Sequence, residues 1–379
     1  MNESVFARET RRVEFIARHL WRVIRPAVAR HLSRRCRNCV LPEGVSPLDA
    51  TGLCGECRKF ADSPPPPRPA SEGVSDPVDE LLRSTEGKAA GVYDAILLVS
   101  GGKDSAWLLH RITTGHPRLR LLTVLVDNGF MSPIALANAA RVMSRFDVDH
   151  LTVRPRPAVV RKAFRTAFLN LHRQTGYSIV DLTDGQIIFD TAKHLAARMG
   201  IPMVLCGLSR AQIENGMTGV RWEFPREREA AGMNNITGIP FGEFFTPDEM
   251  TLWFDGSKHP PDRIPRFVFP LYVWEPAEEH ILREVSRLGL LDAKRTSPLL
   301  TNNRLIPLIG IAEVLRFGHT GFEVEFARNV REGKSAREYW LNIFEMLEYS
   351  AKTGRFISGS VDATLAELGL SRKDIGLPA

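Results

Sequence analysis

The sequence predicts an α/β fold with a doubly wound parallel sheet. Continuous apolar runs such as AILLV and LLTVLV have the length and composition of strands covered on both faces. Segments with helical spacing follow them, so strands and helices alternate along the chain. The predicted strands are 95–99, 121–126, 149–153 and 203–206, and the predicted helices between them are 105–113, 133–145 and 187–199.

The remaining regions differ in composition from this pattern. Residues 61–78 read ADSPPPPRPASEGVSDPV, which favours extended polyproline geometry and a spacer role. Residues 215–270 are rich in Gly, Pro and aromatic side chains and are predicted to be less regular, and the chain is mostly helical from about residue 276. The predicted divisions are a basic helical segment (1–35), a cysteine unit (36–60), a Pro-rich linker (61–80), the main α/β domain (81–275) and a helical C-terminal region (276–379).

The first segment has the pattern of a basic amphipathic helix over residues 4–34, bent near Pro26. Apolar residues recur at helical spacing, and arginines occupy much of the rest. Such a helix can lie on an anionic membrane or dock on a partner. It can equally pack on its own domain with a solvated basic face, and the sequence leaves both interpretations open.

Charge and hydropathy narrow the class of protein. The net charge of +6 and pI of about 9.2 favour anionic ligands. No apolar run approaches the roughly 20 residues that a transmembrane helix needs, and arginines interrupt the N-terminus where a signal peptide would be apolar. We therefore expect a cytoplasmic protein, and the sequence is compatible with a homodimer.

Four of the five cysteines form two CxxC pairs. Cys36 and Cys39 are separated from Cys54 and Cys57 by 14 residues, a spacing that fits a tetrahedral four-thiolate zinc site. A unit this small has no core of its own, so the metal would supply its folding energy. An iron–sulfur site or redox-active pairs are the competing interpretations.

The segment AILLVSGGKDSAWLLHRI carries the strongest functional signal. A buried strand ends in Ser100-Gly101-Gly102 and a helix begins immediately afterwards with Lys103-Asp104-Ser105. Glycines let backbone amides approach a phosphate, and the helix N-terminus adds a favourable dipole. Lys103 adds positive charge, the serine hydroxyls can donate hydrogen bonds, and Asp104 could cap the helix or hold magnesium.

Other candidates follow the ends of later strands. Ligands of open α/β sheets bind at the carboxyl ends of the strands, where the sequence places Asp127 and Asn128 and then Gly207, Arg210 and Glu214. Asp181, Asp184 and Gln186 are predicted just before a helix, where they could orient magnesium or an amine or could be capping and surface residues. Thr301 and Asn302 are further loop candidates for the substrate.

The motif SGGKDS behind a hydrophobic strand resembles the signature of the N-type ATP pyrophosphatases, the PP-loop superfamily. The resemblance implies an adenine nucleotide alpha hydrolase-like fold for residues 81–275, with Ser100, Gly101, Gly102, Asp127, Asn128 and Gly207 binding ATP and with Lys103, Asp104 and Ser105 as catalytic residues. Enzymes of this type transfer AMP to a carbonyl or carboxyl oxygen and release pyrophosphate, with Mg²⁺ as cofactor. A nitrogen or sulfur nucleophile then displaces AMP.

The two CxxC pairs before SGGKDS resemble, more narrowly, the N-acetyl sugar amidotransferases of surface-polysaccharide biosynthesis. This resemblance is carried by residues 36–130 and more weakly by IPMVLCGLSRAQIEN and FEVEFARNVREGKSAREYW. It implies an anionic small-molecule substrate, expected to be a nucleotide sugar, and ammonia from a separate glutaminase subunit. Residues 221–270, the linker and the basic N-terminal helix depart from the family pattern.

The alternative is a tRNA or small-molecule sulfurtransferase that uses the same adenylation step. Thiolases that pair zinc cysteines with a PP-loop generally use further cysteines, and only Cys206 remains here. Cys206 follows an apolar run and is expected to be buried and inert. The tRNA alternative therefore requires an external sulfur donor.

Overall fold

The computed structural model describes residues 4–63, 76–291, 299 and 303–378. These residues form two compact units. The helical unit comprises residues 4–63, 174–178 and 303–378, and the sheet unit comprises residues 76–173, 179–291 and 299. Most of the Pro-rich linker, and both Thr301 and Asn302, lie outside the described residues.

The sheet unit is built on five parallel strands in the order β3-β2-β1-β4-β5. Strand β1 lies at the centre, with Ile96 opposite Leu122 of β2 on one side and opposite Val204 of β4 on the other. The predicted doubly wound parallel sheet is thereby confirmed. The strands are β1 (Ala95–Leu98), β2 (Leu121–Val126), β3 (Asp149–Val153), β4 (Met203–Leu205) and β5 (Arg266–Val268).

Both faces of the central strands are covered, as their continuous apolar sequence predicts. Ala95 and Leu97 belong to one buried cluster, whereas Ile96 and Leu98 belong to another. Successive side chains of a strand point to opposite faces, so a four-residue apolar run supplies two cores at once. The helices of the sheet unit are α4 (Pro77–Thr85), α5 (Lys103–Gly115), α6 (Pro133–Met143), α7 (Pro157–Leu169), α8 (Ile179–Met199), α9 (Arg210–Gly216), α10 (Arg226–Ala231), α11 (Phe241–Phe244), α12 (Pro270–Trp274) and α13 (Glu278–Arg287).

Helix α8 begins eight residues earlier than the sequence predicts. Asp184 and Gln186 therefore lie inside a 21-residue helix and not before its start. Within the helix Gly185 packs against Phe189 and Ile236, whose nearest atoms would lie 3.6 and 4.0 Å from an added Cβ. Tertiary packing outweighs the low helix propensity of this stretch.

The region 215–270, expected to be irregular, contributes the edge strand β5. Phe267 pairs with Val204 of β4. The strand is only three residues long and lies between Pro265 and Pro270. An alternation of apolar and polar residues cannot be recognised over so short a segment.

A buried ion cluster ties this region to α8. The Lys193 ammonium lies 2.8 Å from the Glu229 carboxylate of α10 and 3.5 Å from Asp190, and all three side chains are almost fully buried. The Lys193 ammonium also lies over the Phe224 and Phe267 rings. Burial raises the pKa of the Asp190 carboxyl to about 6, and the shorter contact of the Lys193 ammonium is with Glu229.

The helical unit combines both ends of the chain. Helix α1 packs on the C-terminal helices α16 and α17, and α2 packs on α16. The indole N–H of Trp21 donates to the Glu345 carboxylate at 2.9 Å, which fixes α2 to α16. The helices of this unit are α1 (Val5–His19), α2 (Trp21–Val28), α3 (Gly55–Asp62), α14 (Ile306–Phe317), α15 (Gly321–Arg331), α16 (Arg337–Thr353) and α17 (Ser358–Leu368).

The N-terminal helix is interrupted at Leu20, and the predicted bend near Pro26 is wrong. Leu20 has non-helical dihedrals (φ −122°, ψ −23°) and separates α1 from α2. Pro26 lies inside α2, which ends two residues later. The break lets Trp21 turn inward to Glu345, a tertiary contact that local sequence does not reveal.

We predict that Lys193→Met lowers the free energy of unfolding by about 3 to 5 kcal/mol, because it leaves the Glu229 carboxylate buried without a counter-charge. Urea denaturation measures this loss. Lys258→Met is the matched control, since Lys258 pairs with Asp255 at 75% side-chain exposure and should change stability by no more than about 0.5 kcal/mol. Equal effects of the two substitutions would contradict the assignment.

Candidate active site and metal centre

The candidate active site lies where the strand order reverses. Strands β2 and β3 extend to one side of β1, and β4 and β5 extend to the other. The loops after β1 and β4 lie at this reversal, which is the position where doubly wound sheets bind ligands. A Cβ added to Gly207, two residues after β4, would lie 3.5 Å from the Ser105 nitrogen, so the two loops are in contact at this point.

Gly101 is the residue that lets the first loop adopt its path. Its φ of +77° is strained for other residues, and an added Cβ would lie 2.0 Å from the carbonyl oxygen of Ala135 in α6. Both the dihedral and the close approach exclude a side chain. The loop therefore lies directly against the α6 backbone.

The hydroxyls of Ser100 and Ser105 form hydrogen bonds that join the two ends of the loop. The Ser105 hydroxyl accepts from the Ser100 N–H at 3.2 Å and donates to the Gly102 carbonyl at 3.1 Å. The Ser100 hydroxyl accepts from the Gly102 N–H at 3.3 Å. Ser100 and Ser105, predicted as ligand and catalytic residues, are thus brought together as a brace for the glycine loop.

The loop leads directly into α5, whose N-cap Gly102 makes no side-chain capping hydrogen bond. The first backbone N–H groups of a helix have no intrahelical acceptor, and the helix dipole adds partial positive charge there. The arrangement of glycine loop and helix N-terminus is that of an anion-binding site.

The Lys103 ammonium is held by two carboxylates. It lies 2.8 Å from Asp104 and 3.6 Å from Glu278 of α13. Its side chain is 13% exposed, whereas that of Asp104 is 40% exposed. Sequence reasoning missed Glu278, because it lies 175 residues from Lys103 and no motif marks it.

The β2 end brings three more polar residues together. Asp127 accepts from the Gly129 N–H at 2.9 Å and from the Arg154 Nε at 3.0 Å. The Asn128 amide donates to the Asp184 carboxylate of α8. Asp127, Asn128 and Asp184 are thus linked at one edge, and Arg154 is a member of the site that the sequence analysis did not find.

The β4 side is organised by Tyr272 of α12. The Arg210 guanidinium lies 4.7 Å from the centre of the Tyr272 ring and donates to the Tyr272 carbonyl at 3.2 Å. The Tyr272 hydroxyl donates to Glu214 at 2.9 Å, and Glu275 lies 3.4 Å from Arg210. Arg210 and Glu214 share one partner, which no sequence motif indicates.

Gln186 and Cys206 are buried, and their surroundings favour a role in packing and hydrogen bonding of the fold. The Gln186 amide donates to the Asn234 carbonyl at 3.1 Å, and its oxygen accepts from the Ile236 N–H at 2.8 Å. Burial raises the pKa of the Cys206 thiol to about 12. A thiol with this pKa is almost fully protonated near neutral pH and is a poor nucleophile.

The metal centre lies in the helical unit and comprises Cys36, Cys39, Cys54 and Cys57. Their sulfur atoms all lie within 4.8 Å of one another. The Cys36–Cys57 and Cys39–Cys54 sulfur distances are 3.6 and 3.7 Å. A tetrahedron with zinc–sulfur bonds of about 2.3 Å has edges of roughly 3.8 Å, so the cluster fits a zinc-ribbon-like site.

Backbone N–H groups favour a thiolate at Cys36, whereas burial raises the pKa of the Cys57 thiol to about 11 and also raises that of Cys39. The Cys54 N–H donates to the Cys36 sulfur at 3.4 Å, and the Leu41 N–H donates to the Cys39 sulfur at 3.5 Å. Burial opposes ionisation of Cys36, but backbone hydrogen bonds from Cys39 and Cys54 lower its pKa to about 7. Four thiolates are the donor set of structural zinc sites, although iron–sulfur clusters use the same set.

Two arginines, the half-buried Arg337 and the buried Arg35, attach the cysteine unit to the helices around it. Arg337 of α16 donates to the Cys36 and Cys39 carbonyls at 2.7 and 2.8 Å. Arg35 lies 2.8 Å from Glu323 and 3.0 Å from Glu348, and all three side chains are 2% exposed or less. Loss of the metal would therefore disturb the buried ion pairs of α15 and α16 as well.

Comparison with known proteins gives limited sequence similarity. No family model matches the chain. The chain is 34% identical over 118 residues to uncharacterized protein MJ1599 of Methanocaldococcus jannaschii, an alignment that covers 30% of this chain and 40% of that protein. The chain thus spans about two fifths of the length of this relative.

Among solved structures, the chain is similar to the U34-tRNA thiolase NcsA from Methanococcus maripaludis with its iron–sulfur (4Fe–4S) cluster, at 14% identity and a TM-score of 0.37, covering 90% of this chain and 91% of that one. The chain is also similar to NMN synthetase from Francisella tularensis, at 12% identity and a TM-score of 0.33, covering 79% of this chain and 98% of that one. It is similar to the NH₃-dependent NAD synthetase from Campylobacter jejuni at 11% identity and a TM-score of 0.34, covering 68% of this chain and 91% of that one. The fold assignment rests on the strand order and register of this chain itself.

We predict that Cys39→Ser releases the bound metal and destabilises the cysteine unit (residues 36–60) by several kcal/mol, because metal binding supplies the folding energy of a unit this small. Metal content by mass spectrometry and helix content by circular dichroism give the readout. Cys206→Ala is the matched control, because Cys206 is the one cysteine outside the cluster, and it should retain the metal. Retention of a full equivalent by Cys39→Ser would refute the site.

We also predict that Gly101→Ala costs about 2 kcal/mol or more and weakens ATP binding, because it combines positive-φ strain with a backbone clash. Thermal denaturation and titration calorimetry with ATP measure the two effects. Gly129→Ala shares the dihedral (φ +84°) but has open space around its Cβ, so it should cost only about 1 kcal/mol. A Gly101→Ala protein as stable as the Gly129→Ala protein would disprove the close approach.

Proposed function

We propose that this protein is an ATP pyrophosphatase of the PP-loop type that adenylates an acceptor oxygen and lets ammonia displace AMP. The observation that carries the proposal is the glycine loop with its braced serines at the switch point of a parallel sheet, directly before an uncapped helix N-terminus. This geometry suits two adjacent phosphates better than a single carboxylate, because several N–H groups and Lys103 converge there. The catalytic domain is assigned to residues 81–275.

The proposed chemistry is positioning and charge stabilisation. The acceptor's carbonyl oxygen forms a bond to the α-phosphorus of ATP, and the bond from that phosphorus to pyrophosphate breaks. The backbone amides at the start of α5 hold the departing pyrophosphate while Lys103 turns from Glu278 toward it. Mg²⁺ would neutralise the phosphates further, and the exposed carboxylate of Asp104 is placed to hold it.

Nitrogen transfer completes the reaction. Ammonia adds to the activated carbon, and the carbon–oxygen bond breaks as AMP leaves with the oxygen. The nucleoside of ATP is assigned to the carboxyl ends of β2 and β4, near Asp127 and Asn128 after β2 and near Gly207 after β4. The acceptor is assigned to the β4 side, where Arg210 is held on Tyr272 beside Glu214.

The proposed acceptor is an anionic small molecule, specifically a nucleotide sugar, and a separate glutaminase subunit would supply ammonia. A positive guanidinium stacked on an aromatic ring suits a phosphate-bearing ligand. Sulfur transfer is the alternative, and it needs an outside sulfur source. Cys206, the one cysteine beyond the metal cluster, is buried with a strongly raised pKa.

We predict that Lys103→Ala lowers pyrophosphate release by about 10²-fold or more, because it removes a charge placed at the departing phosphates. The assay supplies ATP, Mg²⁺, ammonia and candidate nucleotide sugars, and chromatography separates AMP from ADP. Lys88→Ala, at an exposed position seven residues before the start of β1, is the control and should keep full activity. Formation of ADP in place of AMP would overturn the mechanism.

A further inference from the structure

The first two helices present a surface with a single sign of charge. Glu9 and Glu14 are the only carboxylates between Ser4 and Arg34. Both bond to the C-terminal helices, and Glu14 also pairs with Arg18 at 2.6 Å. Glu9 accepts from the Ser360 N–H at 2.8 Å, and Glu14 accepts from the Tyr339 hydroxyl at 2.7 Å. The arginines of α1, α2 and the turn after them remain exposed, namely Arg8, Arg11, Arg12, Arg18, Arg22, Arg25 and Arg30.

Large apolar side chains are exposed among these arginines. Phe15 is 55% exposed, Leu20 is 42% exposed and Val23 is 79% exposed. They are not part of the packing face, because that face is formed by buried residues such as Phe6, Ile16 and Trp21. The two helices therefore bury one apolar face inside the unit and display a second, smaller apolar set toward solvent.

Spacing places charge and apolar groups on one face of α1. Arg8, Arg12, Phe15 and His19 follow one another at intervals of three or four residues, which align on a helix. The rings of Phe15 and His19 are 5.0 Å apart. An aromatic side chain on this face is therefore flanked by cationic ones.

This surface is held in place before any partner binds. The Asn342 amide donates to the Ala17 carbonyl at 2.9 Å, and Arg25 and Trp21 both bond the buried Glu345 carboxylate. Ordering a flexible segment opposes binding, and here α1 and α2 are already ordered on α16.

We infer that α1 and α2 form a docking surface for a lipid bilayer rich in anionic headgroups. Arginines attract the headgroups, and Phe15, Leu20 and Val23 insert at the boundary with the acyl chains. A nucleic acid satisfies the charge but gives no apolar environment for aliphatic side chains such as Leu20 and Val23. The described part of the chain contains no helix with the length and hydropathy of a membrane span.

The test uses the full-length, metal-loaded protein and sedimentation with lipid vesicles. We expect binding to phosphatidylcholine vesicles that contain phosphatidylglycerol, loss of binding at high salt, and no binding to phosphatidylcholine alone. Val23→Ser should weaken binding about tenfold, because it removes an apolar side chain that is 79% exposed in the free protein and would be buried in the bilayer. Arg22→Glu should weaken it at least about tenfold through charge reversal beside anionic lipid.

Val92→Ser is the matched control for the apolar change. Val92 is 71% exposed in the sheet unit, so this substitution should leave vesicle binding unchanged. Val23→Ser should keep the metal and the pyrophosphate release of the parent protein, so failure of this inference is separable from failure of the proposed function. Absence of binding to the anionic vesicles would overturn the inference. It would also be overturned if Val23→Ser bound the vesicles as tightly as the parent protein and tRNA displaced the vesicles.

Discussion

The contact between the loop after β1 and the backbone of α6 is the constraint on which the candidate active site depends. Gly101 has no room for a Cβ because the Ala135 carbonyl lies in its place. This approach fixes the path of the loop between β1 and α5, within which the Ser100 N–H donates to the Ser105 hydroxyl. Strand order then decides the neighbours, since β2 brings Asp127 and β4 brings Gly207 to either side.

The helical unit depends on a different kind of constraint, in which polar groups are buried together. Arg35, Glu323 and Glu348 would each be costly to bury alone. Their mutual pairing next to the cysteine cluster makes them tolerable, and Arg337 adds bonds to two cysteine carbonyls. Desolvation is offset only while all of these elements are assembled, so the cysteine unit and the C-terminal helices stabilise one another.

Sequence reasoning reached the features that are encoded locally. The apolar runs at β1 and β2, the glycine loop and the paired cysteines each carry their signal within a few residues. Long-range features carried no such signal. Glu278 reaches Lys103 from α13, Tyr272 joins Arg210 to Glu214, and Trp21 breaks the first helix to meet Glu345. The sequence did not predict the early start of α8 or the three-residue β5, because packing and strand pairing outweigh weak local preferences there.

The discontinuity of the helical unit has a consequence for biosynthesis. Chains emerge from the ribosome with the N-terminus first, so the cysteines and Arg35 are translated long before their partners. Arg35 and Glu348 are 313 positions apart, and the whole sheet unit is made in between. The nascent chain must therefore keep a half-built helical unit from misassembly until translation has passed α16, which makes capture by chaperones or early metal loading a physical need of this topology.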